Sequence, residues 1–278
     1  MIISTVQLEN TQLEYCITGT DNSITILFVH GLGANLRQFE KQHVYFSKTH
    51  QVLSLSFCGH GNSIALRSST ATDFGLSRFA NDIIELLDFL KIQKVHYVGN
   101  SMGGNIGFEL AQKSPDRLRT FTTFGTTGRL TKSKWLVGGI KLIYKILPLS
   151  VIAKLSSVAG QTPYAKTKIQ DMLSCASKET ILAIIPHLAN FNYLDTIKRL
   201  KVNSMIMRGE KDHEINQVLK ETISTFQKHH LSFQCKNFKK AGHFLNLDTP
   251  ELFNEELMRF LVKIDGDNPT NENKTITQ

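Results

Sequence analysis

The chain has 278 residues, 41% of them hydrophobic, four cysteines and a formal charge of +8 at pH 7. That length allows one large α/β domain with an inserted subdomain and a substantial core, which excludes a small fold that needs disulfide or metal staples. Cys16, Cys58, Cys175 and Cys235 lie far apart, form no C-x-x-C pair and read as buried thiols; with no run of ~18 apolar residues and no signal-peptide order at the start, the expectation is a cytoplasmic protein.

The chain opens with two alternating runs, TVQLEN and LEYCITG, separated by a few polar residues as in an antiparallel hairpin at a sheet edge. ITILFVH (24–30), QVLSLSF (51–57), KVHYVGN (94–100), RTFTTFG (119–125), NSMIMRG (203–209) and LSFQCKNF (231–238) read as buried strands. Between them, RFANDIIELLDFLK (78–91) brings Phe79, Ile83, Leu86, Leu87 and Leu90 to one helix face. In PELFNEELMRFLVK (250–263), Pro250 stands at the first helical position after Thr249, a good N-cap. Strand, helix, strand in this order predicts an α/β fold with a mostly parallel, twisted sheet and helices on both faces.

From 127 to 195 the period is helical, broken at Gly138-Gly139, Pro148, Gly160, Pro163 and Pro186. This stretch lies between two predicted strands and reads as a helical cap inserted into a core of residues 1–126 and 196–264. Residues 265–278 are polar and read as a disordered tail. Between Arg129 and Lys168 stand eight Lys or Arg and no Asp or Glu. Lys134, Gly138, Lys141 and Lys145 share one helical face, while Leu136, Ile140, Ile143 and Leu147 share another. Two readings fit: a solvated lysine face over an ordinary core, or a basic amphipathic helix, with Trp135 near its start, that touches a lipid surface or guides an anionic substrate. Nucleic acid is the less favoured partner: Trp135, Tyr144 and Tyr164 are the sole aromatics among these basic residues, too few for a stacking platform.

In VGNSMGGNIG (98–107), one serine stands between glycines where a strand passes into a helix. With Gly and Ser each near 7% of residues, G-x-S-x-G arises by chance in roughly one chain in ten, so the motif alone is weak. Its place sharpens it: a tight strand-to-helix turn strains the central residue and crowds its neighbours, so Gly99 and Gly103 have a mechanical reason. A serine hydroxyl there needs a base, an acid to orient the base, and donors for an oxyanion. FVHGLG (28–33) breaks into glycines after a strand and can turn the N–H of Leu32 toward the serine, paired with that of Met102. A dinucleotide loop is the alternative, but Gly31 to Leu36 lacks the third glycine and no acidic residue ends the next strand.

For the base, His243 in KKAGHFLNLDTPE follows the last strand, whereas His229 and His230 end a basic helix and His96 lies inside a strand. For the acid, MRGEKDHE (207–214) offers Glu210, Asp212 and Glu214. Asp212, at the loop's end, is best placed and Glu210 is the fallback; the rival position after FTTFGTTG has no carboxylate.

Serine, acid and histidine, each after a successive strand, resemble the α/β-hydrolase superfamily. The resemblance covers nearly the whole chain and rests on HGLG, FCGHGNS, GNSMGG, GEKD and AGHF. It implies Ser101 as nucleophile, His243 as general base, Asp212 as its acid, and Leu32 and Met102 as oxyanion donors; no metal or organic cofactor is expected, because the cysteines and histidines do not cluster with ligand spacing. Ser56 stands where many relatives carry Asp, at a position that is usually structural. Epoxide hydrolases and haloalkane dehalogenases of this fold use an Asp nucleophile, so Ser101 argues against both. The apolar side of the cap, with Trp135 and Ile140 assigned as substrate contacts, points to a small-molecule carboxylic ester of apolar or monoacylglycerol-like character. The alternatives are carbon–carbon bond hydrolysis of a ring-fission dienoate and a ligand-binding receptor on a hydrolase scaffold; perhydrolysis would use the same triad.

Overall fold

Strand β3 (Thr25–Val29) is buried along its whole length, because alternate residues feed two separate layers. Leu27 and Val29 enter one core, Ile26 and Phe28 the other. The structure, a computed structural model, describes residues 1–66, 74–229 and 232–267. Strands and helices are numbered in chain order. The sheet runs β1 (Ile3–Gln7), β2 (Thr11–Thr18), β4 (Gln51–Ser56), β3, β6 (Val95–Asn100), β7 (Leu118–Phe124), β10 (Asn203–Gly209), β11 (Phe233–Phe238), with the short β5 (Ile64–Ala65) beside β2. The joints β1 to β2 and β2 to β4 are antiparallel; those from β4 onward are parallel. This is the α/β-hydrolase fold, with the hairpin at one edge as the sequence predicts.

Helices cover both faces. Phe79, Ile83, Leu86 and Leu87 of α2 (Leu76–Phe89) pack with Ile106 and Leu110 of α3 (Met102–Lys113) against one side, joined by Leu219 and Phe226 of α9 (His213–His229). On the other, Phe46 of α1 (Glu40–Phe46) meets Phe253, Leu257 and Leu261 of α11 (Pro250–Asp267). Each such side chain, fully withdrawn from water, contributes roughly 1.5–3 kcal/mol. No described helix is long and apolar enough to cross a membrane.

Several sequence expectations shift. The helix α11 runs past the expected start of the tail, because the Asp265 carboxylate faces His96 Nε2 at 3.3 Å, Arg119 Nη1 at 3.7 Å and His50 Nε2 at 3.8 Å. Burial opposes its charge, yet these neighbours hold Asp265 well below the usual carboxylate range. Residues 268–278, and with them the rest of the expected tail, lie outside the described residues, as does His230. Cys16 and Cys58 are buried, but Cys175 is exposed and Cys235 only partly covered.

The cap consists of α4 (Lys134–Ile146), α5 (Leu149–Ser156), α6 (Pro163–Ser174) and α7 (Lys178–Ala189). Ser133, Thr162 and Ser177 cap α4, α6 and α7 by accepting backbone N–H bonds. At its base β8 (Arg129–Thr131) pairs antiparallel with β9 (Asn190–Asn192), a clasp absent from the sequence reading. The expected boundary at 195 falls inside α8 (Leu194–Arg199), whose Ile197 is buried in the main core.

Candidate active site

Asn100 ends β6 and Met102 begins α3, so Ser101 alone makes the turn, at φ 52° and ψ −117°. A non-glycine residue held there costs of the order of 1–3 kcal/mol and persists because its surroundings fix it. The Ser101 N–H donates to Phe124 O at 2.9 Å, and its carbonyl accepts from Gly104 N at 2.8 Å, starting the helix. A Cβ on Gly103 would lie 2.2 Å from Val29 O, and one on Gly99 2.6 Å from the carbonyl carbon of Gly103. Backbone meets backbone at both points, so nothing flexible can give way. Gly103→Ala is therefore expected to cost about 3 kcal/mol through overpacking. A thermal melt should show it as a Tm loss of roughly 6–12 °C; an unchanged Tm would mean the helix slides to admit the methyl group.

His243 lies in the loop after β11, its Nδ1 2.8 Å from Asp212 Oδ2. An ionised carboxylate only accepts, so Nδ1 carries the proton and Nε2 is left as an acceptor. Burial draws the His243 pKa down, but the Asp212 hydrogen bond and charge, with Glu214 behind, lift it above the ordinary histidine value. Asp212 is held by its own loop: its N–H donates to Gly209 O at 3.2 Å and its Oδ1 accepts from Ile215 N at 3.4 Å in the first turn of α9. Glu210, the fallback acid, is exposed. Glu214 instead makes an ion pair with Lys132 at the cavity.

Ser101, His243 and Leu32 line one cavity of about 290 Å³ under the cap. Its walls are Leu130, Val137, Ile140, Tyr144, Ile185, Leu188 and Phe191 from the cap side, with Ile215 and Val218 from α9. Met102 opens α3, where first-turn N–H groups have no helical carbonyl to meet and the helix dipole favours negative charge. Ile140, expected as a substrate contact, lies in the wall. Trp135 does not: it is 92% exposed, because α4 turns Val137, Ile140 and Tyr144 inward and carries Trp135 to its outer side. The expected inward face is corrected likewise, Leu136 and Ile143 each being 50% exposed.

Three positioning residues escape the sequence reading. His30 is wholly buried; its Nε2 accepts from Phe57 N at 3.1 Å, so its Nδ1 carries the proton it donates to Gly31 O at 2.7 Å. Burial, with His60 nearby, keeps it neutral, its pKa well below the ordinary value. It thus ties the HGLG loop to the end of β4. Asn100 Nδ2 donates to Phe124 O at 3.3 Å and to His243 O at 3.1 Å, joining the serine turn to the histidine loop. Asp248 accepts from Gly242 N at 2.8 Å and from Gln161 N at 2.6 Å, joining that loop to the cap. The signal was available in HGLG and LDTPE, but buried hydrogen bonds between distant segments have no period to read.

Comparison with known proteins gives one family match, to the alpha/beta hydrolase fold, over residues 24–139. The chain is 23% identical over 257 residues to 3-oxoadipate enol-lactonase 2 of Acinetobacter baylyi, covering 90% of this chain and 93% of that protein. Among solved structures, a thermophilic esterase from Thermogutta terrifontis superposes with a TM-score of 0.81 at 19% identity, covering 95% of this chain and 99% of that one. The enol-lactonase from Burkholderia xenovorans gives 0.80 at 20% identity, over 93% and 100%. At these identities the structural likeness carries the fold.

Proposed function

We propose that this chain, which has the α/β-hydrolase fold, is a serine hydrolase cleaving carboxylic esters with an apolar acyl group. The observation that carries this reading is the 2.8 Å contact of His243 Nδ1 with Asp212, with Ser101 and His243 facing the same apolar cavity. His243 Nε2 takes the Ser101 hydroxyl proton as Oγ adds to the ester carbonyl carbon. The N–H groups of Leu32 and Met102 hold the oxyanion. Its collapse breaks the bond to the alcohol oxygen, which leaves with the proton from His243. Water, deprotonated by His243, then attacks the acyl-enzyme and frees the acid and Ser101. A lactone is an internal ester, so the chemistry named for the enol-lactonase relatives is of the same kind.

The wall favours a neutral acyl group over a carboxylate-bearing one. Among the described residues that line the cavity Lys132 is the lone cation, and Glu214 already pairs with it. A dienoate acid would have to displace that glutamate.

Labelling with a fluorescent fluorophosphonate and peptide mapping tests the reading. The label is expected on Ser101, absent in Ser101→Ala and reduced in His243→Ala; no label on well-folded protein would overturn it. The neutral form of His243 is the working base, and its pKa is raised, so labelling rate should climb with pH through a midpoint above 6.5. A midpoint below 6.5 would mean that burial outweighs Asp212.

A further inference from the structure

Helix α4 is apolar on the side that faces away from the protein. Val137, Ile140 and Tyr144 look into the cavity. Trp135, Leu142 and Ile146, spaced i, i+7 and i+11, form a stripe on the opposite side and are 92%, 56% and 68% exposed. Lys134, Lys141 and Lys145 run along one flank of that stripe. Among the described residues these three lysines enter no ion pair, unlike Lys132 and Lys168, which pair with Glu214 and Glu40. From Arg117 to Gln170 the chain contains no Asp or Glu.

We propose that α4 lies in the headgroup layer of an anionic lipid membrane, with Trp135, Leu142 and Ile146 among the acyl chains and the lysine row on the phosphates. Each part of the pattern has its use there. A tryptophan ring settles at the boundary between headgroup and hydrocarbon, and lysines lay their stems along apolar surface while the ammonium meets the phosphate. Charge selects this occupant over a second copy: paired faces would bring two lysine rows together with no carboxylate on α4 itself to answer them. Val137, Ile140 and Tyr144 of the same helix wall the cavity, so a membrane-dissolved ester would reach Ser101 past α4. The membrane contact itself stands apart from the chemistry proposed at Ser101, and its test reads binding without turnover.

Trp135 is the only tryptophan in the chain, so it reports on its own burial. The full-length protein is mixed with vesicles of phosphatidylglycerol or of phosphatidylcholine and followed by tryptophan emission and co-sedimentation. The expected result is a blue shift and sedimentation with phosphatidylglycerol at low salt, weakened at high salt and small with phosphatidylcholine. Ile146→Asp, and separately Lys134→Glu with Lys141→Glu and Lys145→Glu, should each reduce vesicle partitioning at least tenfold with Tm unchanged. Unshifted emission with the protein left in the supernatant overturns the proposal. So does emission that is blue without lipid and follows protein concentration, which would assign the face to a second copy.

Discussion

Ser101→Ala is expected to lower kcat for a p-nitrophenyl ester of medium chain length by about 10⁶-fold, the loss that follows when a serine–histidine unit is broken. The size comes from the kind of role. A hydroxyl that only positioned substrate would cost a hydrogen bond, on the order of tenfold. A nucleophile carries the reaction path itself, and what remains is catalysis by oxyanion donors and binding, about 10³–10⁴-fold over water. The variant suits the test because the fold has no stake in the hydroxyl. The turn at φ 52° is held by backbone bonds to Phe124, Gly104 and Asn105, all of which alanine keeps. Kinetics and a thermal melt on the same preparation separate the outcomes. An unchanged Tm with activity gone supports the nucleophile; activity within tenfold of wild type removes Ser101 from the mechanism.

The sheet was legible because its strands are short, apolar and mostly followed by glycine, histidine or polar turns, and because each side of β3 packs on a different layer. The serine turn was legible for a related reason: Gly99 and Gly103 are set by contacts within a few residues and with the neighbouring strand. The cap shows where such reading stops. α4 carries apolar residues nearly all round, so periodicity alone could not choose between the Leu136–Ile143 side and the Val137–Tyr144 side as the inner one. Only packing against α7 and the cavity decides, and it places Trp135 outside. The clasp of β8 with β9 joins three-residue segments some sixty positions apart, too short for any pattern. Asp265 was read as tail because its local sequence is polar, whereas its partners His50, His96 and Arg119 come from distant parts of the chain.

Asp212→Asn is expected to reduce kcat by about 10⁴-fold with the fold intact. The isosteric change leaves the loop's size and its backbone bond to Gly209 in place, and the amide can still accept from Ile215 N. What it removes is the acceptor charge at 2.8 Å from His243 Nδ1. An amide can offer that nitrogen an N–H, which favours the tautomer with its proton on Nε2, the atom proposed to receive the proton of Ser101. The pH profile gives a second, independent reading. In the native protein burial lowers the His243 pKa, and Asp212, with Glu214, more than reverses it. Without Asp212 burial prevails, so the acid limb of the residual activity should move to lower pH even as the plateau collapses. A merely structural aspartate would lower activity through misfolding and leave that midpoint alone. Glu210→Gln is the matched control, since Glu210 is exposed and reaches the site only through backbone. It should hold kcat within twofold. If Glu210→Gln lost activity while Asp212→Asn stayed within tenfold of wild type, the acid would be Glu210, and the hydrogen bond to His243 would be a resting arrangement that substrate rearranges.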